Sequence, residues 1–136
     1  MASELRVNTL KDANGNNSIA TSFVAGGSAK SYGYAQQRTA TVELKDSFNM
    51  TSWTDDTTGE STWTINANMG NGTYTIISSH SYDATAGDGV VGSNENWVVD
   101  ATSFKQDTFF GNGTFYDCDY VYAATFGDLA WVKQQI

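Results

Sequence analysis

Acidic side chains dominate the residues of this chain that could do chemistry. Asp55, Asp56 and Glu60 fall in one polar stretch, TDDTTGES at residues 54–61, where hard oxygen ligands could gather round a calcium ion. Their spacing is not that of an EF-hand loop and Gly59 does not occupy its glycine position, so the plainer reading is a solvated hairpin tip. Asp117 and Asp119 alternate along one strand face and could share a cation or a partner's lysine, but an exposed strand face needs neither. Glycoside hydrolysis needs two carboxylates at a set separation across a cleft. So many acids qualify here that the sequence singles out no pair. Cys118 is the only cysteine, which excludes a disulfide within the chain. The one histidine, His80, is distant in sequence and has no supporting motif, so a Cys–His enzyme is rejected. Cys118 reads as a small buried apolar thiol. No catalytic residue, cofactor site or metal site is predicted.

The remaining candidates are aromatic. Trp53 stands at the edge of the 54–61 turn, and Trp97 follows a Gly-, Asn- and Asp-rich loop predicted over 83–96. A flat indole can stack on a sugar ring while Asn and Asp bind its hydroxyls. The same residue types are enriched at subunit interfaces. Trp53, Asp55, Asp56, Asp88, Asn94, Asn96 and Trp97 are therefore the predicted receptor or partner contacts.

The elements that would carry them are strands. TWTIN puts Trp63 and Ile65 on one side and Thr62, Thr64 and Asn66 on the other, the period of a half-buried strand. A partner is expected over 47–53, joined through the 54–61 turn. Asn71-Gly72 favours a tight reversal into a strand over 73–77, making an antiparallel meander. Further strands are expected over 3–10, 30–36, 38–45, 97–100, 103–110 and 114–125, the last sharing one face among Tyr116, Cys118, Tyr120 and Tyr122. Residues 18–24 alternate loosely, and AGGS at 25–28 reads as flexible. No helical stripe of ten or more residues is visible. The expectation is an all-β chain of about eight strands, a β-sandwich or jelly-roll-like arrangement over 29–136. Residues 1–28 form either an attachment segment or an edge hairpin. The tail from Leu129, apolar as far as Lys133, is expected to pack on the body or on a neighbouring subunit.

Composition narrows the function. With 15 acidic and 7 basic side chains, the net charge of −8 argues against nucleic acid and against an anionic membrane surface. No apolar run approaches the length of a spanning helix. MASELRV lacks the charged and apolar regions of a signal peptide, which predicts synthesis in a cytoplasm without secretion. The four Asn-x-Ser/Thr sequons at Asn16, Asn49, Asn71 and Asn112 then carry no weight.

Several stretches resemble one family. SFNMTS at 47–52, TDDTTG at 54–59 and the Met69 to Tyr74 spacing resemble a module of bacteriophage tail-fibre and related virion proteins, especially of marine phages. SELRVNTLKDANGNN at 3–17 is similar to the opening segment of such proteins, and DCDYVYAATFGD at 117–128 to their last strand. Gly70 stands where the family pattern has proline. The resemblance implies a non-enzymatic homotrimer, fixed to the particle by its N-terminal segment and presenting a β-rich body to the host surface. It implies location in the virion, contact with other virion proteins and contact with a host glycan. The other readings are a capsid-decorating or tail-adaptor protein and a lectin-like carbohydrate-binding module.

Overall fold

The computed structural model describes residues 7–15, 18–38, 41–81 and 92–130. Among them run β1 (Thr9–Lys11), β2 (Ser18–Ala20), α1 (Thr21–Gly27), β3 (Ser31–Gln36), β4 (Glu43–Phe48), β5 (Met50–Thr57), β6 (Glu60–Ile65), β7 (Thr75–Ser81), β8 (Gly92–Val98), β9 (Ser103–Phe110) and β10 (Tyr120–Phe126). Two four-stranded antiparallel sheets, ordered β4-β3-β10-β7 and β5-β6-β9-β8, make an all-β sandwich; β1 and β2 pair only with each other. With that hairpin included, the described strands number about ten.

The core forms where inward positions of the two sheets meet. Trp53, Trp63, Ile65 and Phe104 come from one sheet, and Ala35, Val121 and Ala123 from the other. Trp63 is fully buried, stacked on Phe104 with centroids 6.0 Å apart and tilted against Trp53 at 6.1 Å. Its indole projects onto Gly33 of the opposite sheet, where an added Cβ would fall well inside contact distance of the ring. Its N–H donates to Gln106 Oε1 at 3.1 Å, and Gln106 Nε2 donates to the Ser79 carbonyl at 3.1 Å. One buried amide thus satisfies the indole and ties β9 to β7 across the core, as a polar group in that position must.

The chain changes sheet at corners. Asn49, between β4 and β5, adopts φ 55°, a left-handed conformation that Asn tolerates. Its amide donates to the Lys30 carbonyl at 2.9 Å and its Oδ1 accepts from Ala67 N–H at 2.7 Å, so the corner is held from both sides.

These corners revise the expected meander. β5 and β6 do form a hairpin, but the turn is only Thr58 and Gly59; residues 54–57 are strand. Gly59 has φ 74°, and a Cβ there would lie 2.6 Å from the Thr108 carbonyl oxygen. β7 belongs to the other sheet from β6, so residues 66–74 cross the sandwich instead of reversing within one sheet. The segment ahead of β10 is less regular than predicted: Cys118 and Tyr116 turn inward while Tyr120 and Tyr122 face out. Residues 21–27 are helical despite two glycines and no side-chain cap. Thr21 N–H donates to the Asn8 carbonyl at 3.0 Å, and the Lys30 ammonium donates to the carbonyls of Ala25 and Ser28 at the helix's C-terminal end. Residues 82–91 and the tail from 131 lie outside the described residues, as do residues 1–6 of the predicted first strand.

Gly33→Ala forces the Trp63 ring to move and is expected to destabilise the fold by about 1–3 kcal/mol, the usual effect of overpacking a filled core. Thermal melting followed by circular dichroism measures it. Adding Trp63→Phe, whose ring does not reach as far, recovers part of the loss.

Candidate functional site

Each sheet buries one face and leaves the other outside, and the two outer faces differ in chemistry. On the β4-β3-β10-β7 sheet, antiparallel register sets Phe48 opposite Tyr32, Tyr32 opposite Ala124, and Ala124 opposite Ile77. The next rung sets Tyr34 opposite Tyr122. Phe48, Tyr32 and Ile77 are 54%, 47% and 59% exposed. Tyr34 and Tyr122 have centroids 5.2 Å apart and planes 6° apart, Tyr32 and Phe48 5.8 Å and 25°, and Tyr34 and Tyr120 5.3 Å and 48°. Nearly parallel rings at such separations are offset-stacked, so they turn their faces to one another and offer edges and hydroxyls to solvent. A shallow groove of about 370 Å³ runs between Tyr32, Tyr34, Ile77 and Tyr122. Phe48 also borders a larger groove of about 810 Å³ beside α1, with Lys30, Asn49 and Leu129.

The β5-β6-β9-β8 sheet is acidic outside. Glu60, Asp107 and Glu95 lie in one row across β6, β9 and β8, and Thr62, Lys105 and Trp97 in the row beside it. Lys105 Nζ pairs with Asp56 at 3.3 Å, and Thr62 Oγ1 donates to the same carboxylate at 2.6 Å. Asp107 is 6% exposed although it points away from the core, and its Oδ1 has no hydrogen-bond partner among the described residues. Burial raises its pKa above the ordinary carboxylate value, Glu60 adds to the rise, and Lys105 opposes it.

The predicted contacts scatter over this framework. Trp97, 42% exposed, and Asp56 share the acidic outer face. Trp53, expected beside a turn, sits mid-strand opposite Trp63 and is only 8% exposed; its ring belongs to the core. Asp55 points between the sheets and accepts from Gln37 Nε2 at 3.0 Å; burial raises its pKa. Asn96 is paired with the inward Gln106 and is partly buried, and Asn94 lies in β8 opposite Thr108. Asp88 is outside the described residues. Asp55 and Asp56 thus turn to different partners, and Glu60 faces Asp107. Asp117 serves the framework, accepting from Gly59 N–H at 2.7 Å. Cys118 is fully buried, and burial pushes its thiol pKa up, away from nucleophile chemistry. Tyr74 donates to the carbonyls of Asp100 and Ser103, and burial pushes its phenol up to about 12.

Sequence reasoning missed the aromatic outer face. Tyr-x-Tyr occurs at both 32–34 and 120–122, and Tyr34 of the first meets both tyrosines of the second. Their outward direction is set by Gly33, whose missing side chain makes room for Trp63, a contact between residues thirty positions apart.

No protein-family model, curated protein or solved structure matches the chain.

Because the folded state raises the pKa of Asp107, its proton contributes stability at pH below the unfolded carboxylate value. That contribution is lost as pH rises through the folded value. At pH 7 the buried charge is a net burden. Asp107→Asn is therefore expected to raise the melting temperature at pH 7, with the gain shrinking as pH is lowered towards 3; melts across that pH range check it.

Proposed function

We propose that the chain is a structural protein of a bacteriophage virion, a homo-oligomeric tail-fibre or appendage protein that attaches the particle to its host. The observation that carries this reading is the exposed aromatic face of the β4-β3-β10-β7 sheet. Contiguous exposed patches of apolar and aromatic side chains mark interaction surfaces. Offset-stacked rings also have little face left for a sugar, and their edges suit packing against another protein surface. Asp46 flanks Tyr34 on this face, paired with it across β3 and β4, whereas Asp56, Glu60, Glu95 and Asp107 gather on the opposite one, so a chain of net charge −8 meets its own copies here with less like-charge repulsion than it would there.

The N-terminal hairpin supports the same reading. β1 and β2 join neither sheet, and Leu10, Ile19 and Phe23 are exposed along the hairpin and helix. Such a segment has almost no core of its own and suits being held by another virion protein. The mechanism is then multivalent binding: linked weak sites raise avidity by about 10²–10⁴ without any new contact.

Light scattering across a dilution series is expected to give a stable mass of three times the 14.7 kDa chain. The double variant Tyr32→Glu/Ile77→Glu should fall to the chain mass. A wild-type monomer, or an unchanged mass in the variant, would remove the support for this reading. Immunogold labelling is expected on the tail; label on the capsid would favour a decorating protein.

A further inference from the structure

We propose that the outer face of the β5-β6-β9-β8 sheet is a binding site for a basic segment of a partner protein. An arginine or lysine head would sit at the Glu60–Asp107–Glu95 row, with its aliphatic stem along Trp97. The inference stands independently of the virion reading.

Three features converge on it. The first is a charge deficit. The row carries three carboxylates on adjacent strands, and Lys105 in the neighbouring row is engaged by Asp56. The second is Asp107 itself, 6% exposed with Oδ1 lacking any hydrogen-bond partner among the described residues. A buried carboxylate oxygen left in that state is costly, and a charge-assisted N–H donor is the group that relieves it. The third is Trp97, 42% exposed and opposite Lys105 in the adjoining row. An indole face attracts ammonium or guanidinium and packs well against a methylene stem.

Geometry selects the class of cation. Adjacent strands lie about 4.8 Å apart, so the three carboxylates span about 10 Å. A calcium ion draws its oxygens to within about 2.3–2.6 Å, and among the described residues no three acids, histidines or cysteines are placed to hold a metal ion. A guanidinium, with five donors in a planar fork, can reach more than one carboxylate along such a row. A second copy of this chain is disfavoured here, since it would bring acidic rows together. The net charge of −8 would steer a basic partner towards the protein.

Calorimetric titration of the full chain with a tetra-arginine amide tests the proposal. General attraction to an acidic protein is separated by two double variants of equal charge change. Glu60→Gln/Glu95→Gln alters the proposed row, and Glu43→Gln/Asp46→Asn alters β4 on the opposite sheet. The expected result is saturable binding, weakened tenfold or more by Glu60→Gln/Glu95→Gln and by Trp97→Ala, and less than twofold by Glu43→Gln/Asp46→Asn. If the row variant fails to fold by circular dichroism, Trp97→Ala decides. No binding to the wild type, equal weakening by both double variants, or full binding by Trp97→Ala would each overturn the proposal. Spermine binding as tightly as the peptide, and indifferent to Trp97→Ala, would overturn the assignment to a protein segment.

Discussion

The structure depends on one side chain reaching across it. Trp63 leaves β6, crosses the core and ends on the bare backbone of Gly33. Everything about its surroundings follows from fitting an indole there. Phe104 and Trp53 flank the ring, Gln106 accepts its N–H, and Ser79 on the other sheet takes the remaining amide donor. Apolar burial drives the sheets together, but the polar chain from Trp63 through Gln106 to Ser79 fixes how they meet. A slipped register would leave a buried amide without partners, which is more costly than losing some contact area.

The same fit decides what lies outside. Since Gly33 must face Trp63, its neighbours Tyr32 and Tyr34 must face solvent, and strand pairing then places Phe48, Tyr122 and Ile77 beside them. On the opposite sheet, inward Phe104, Gln106 and Thr108 oblige Lys105 and Asp107 to point outward, Asp107 between Glu60 and Glu95 and Lys105 between Thr62 and Trp97. An aromatic face and an acidic face are therefore consequences of one core packing. They suit different partners: an apolar protein surface on one side and a cationic chain on the other.

Much of the architecture was legible in the sequence. Period-two alternation identified β6, strands were also expected where β3 and β9 lie, and the absence of helical stripes with abundant Gly, Thr and Asn pointed to a β-sandwich. The errors have physical causes. Residues 54–57 looked too polar for a strand, yet β5 is an edge strand whose outward positions need no apolar group. Shortening the turn to Thr58 and Gly59 moved Trp53 from a loop border into the core. Local alternation also cannot tell which sheet a strand joins, so the passage from β6 to β7 was read as a hairpin. α1 carries no capping signal; backbone contacts to the β1–β2 hairpin and the Lys30 ammonium hold it instead. The candidate sites were less legible, because both outer faces assemble from strands far apart in sequence. Asp56 and Trp97 stand out individually in the sequence, while Asp107 shows its character only between Glu60 and Glu95.

The two outer faces differ in chemistry, and on the proposed reading other copies of the chain cover only the aromatic one. Hydroxyl-radical footprinting of the native assembly, read residue by residue by mass spectrometry, tests this directly. Tyr32, Phe48 and Tyr122 are expected to be protected relative to the dissociated chain, while Trp97 oxidises equally in both. Equal oxidation of Tyr32, Phe48 and Tyr122 in the two states, or protection of Trp97 in their place, would contradict it.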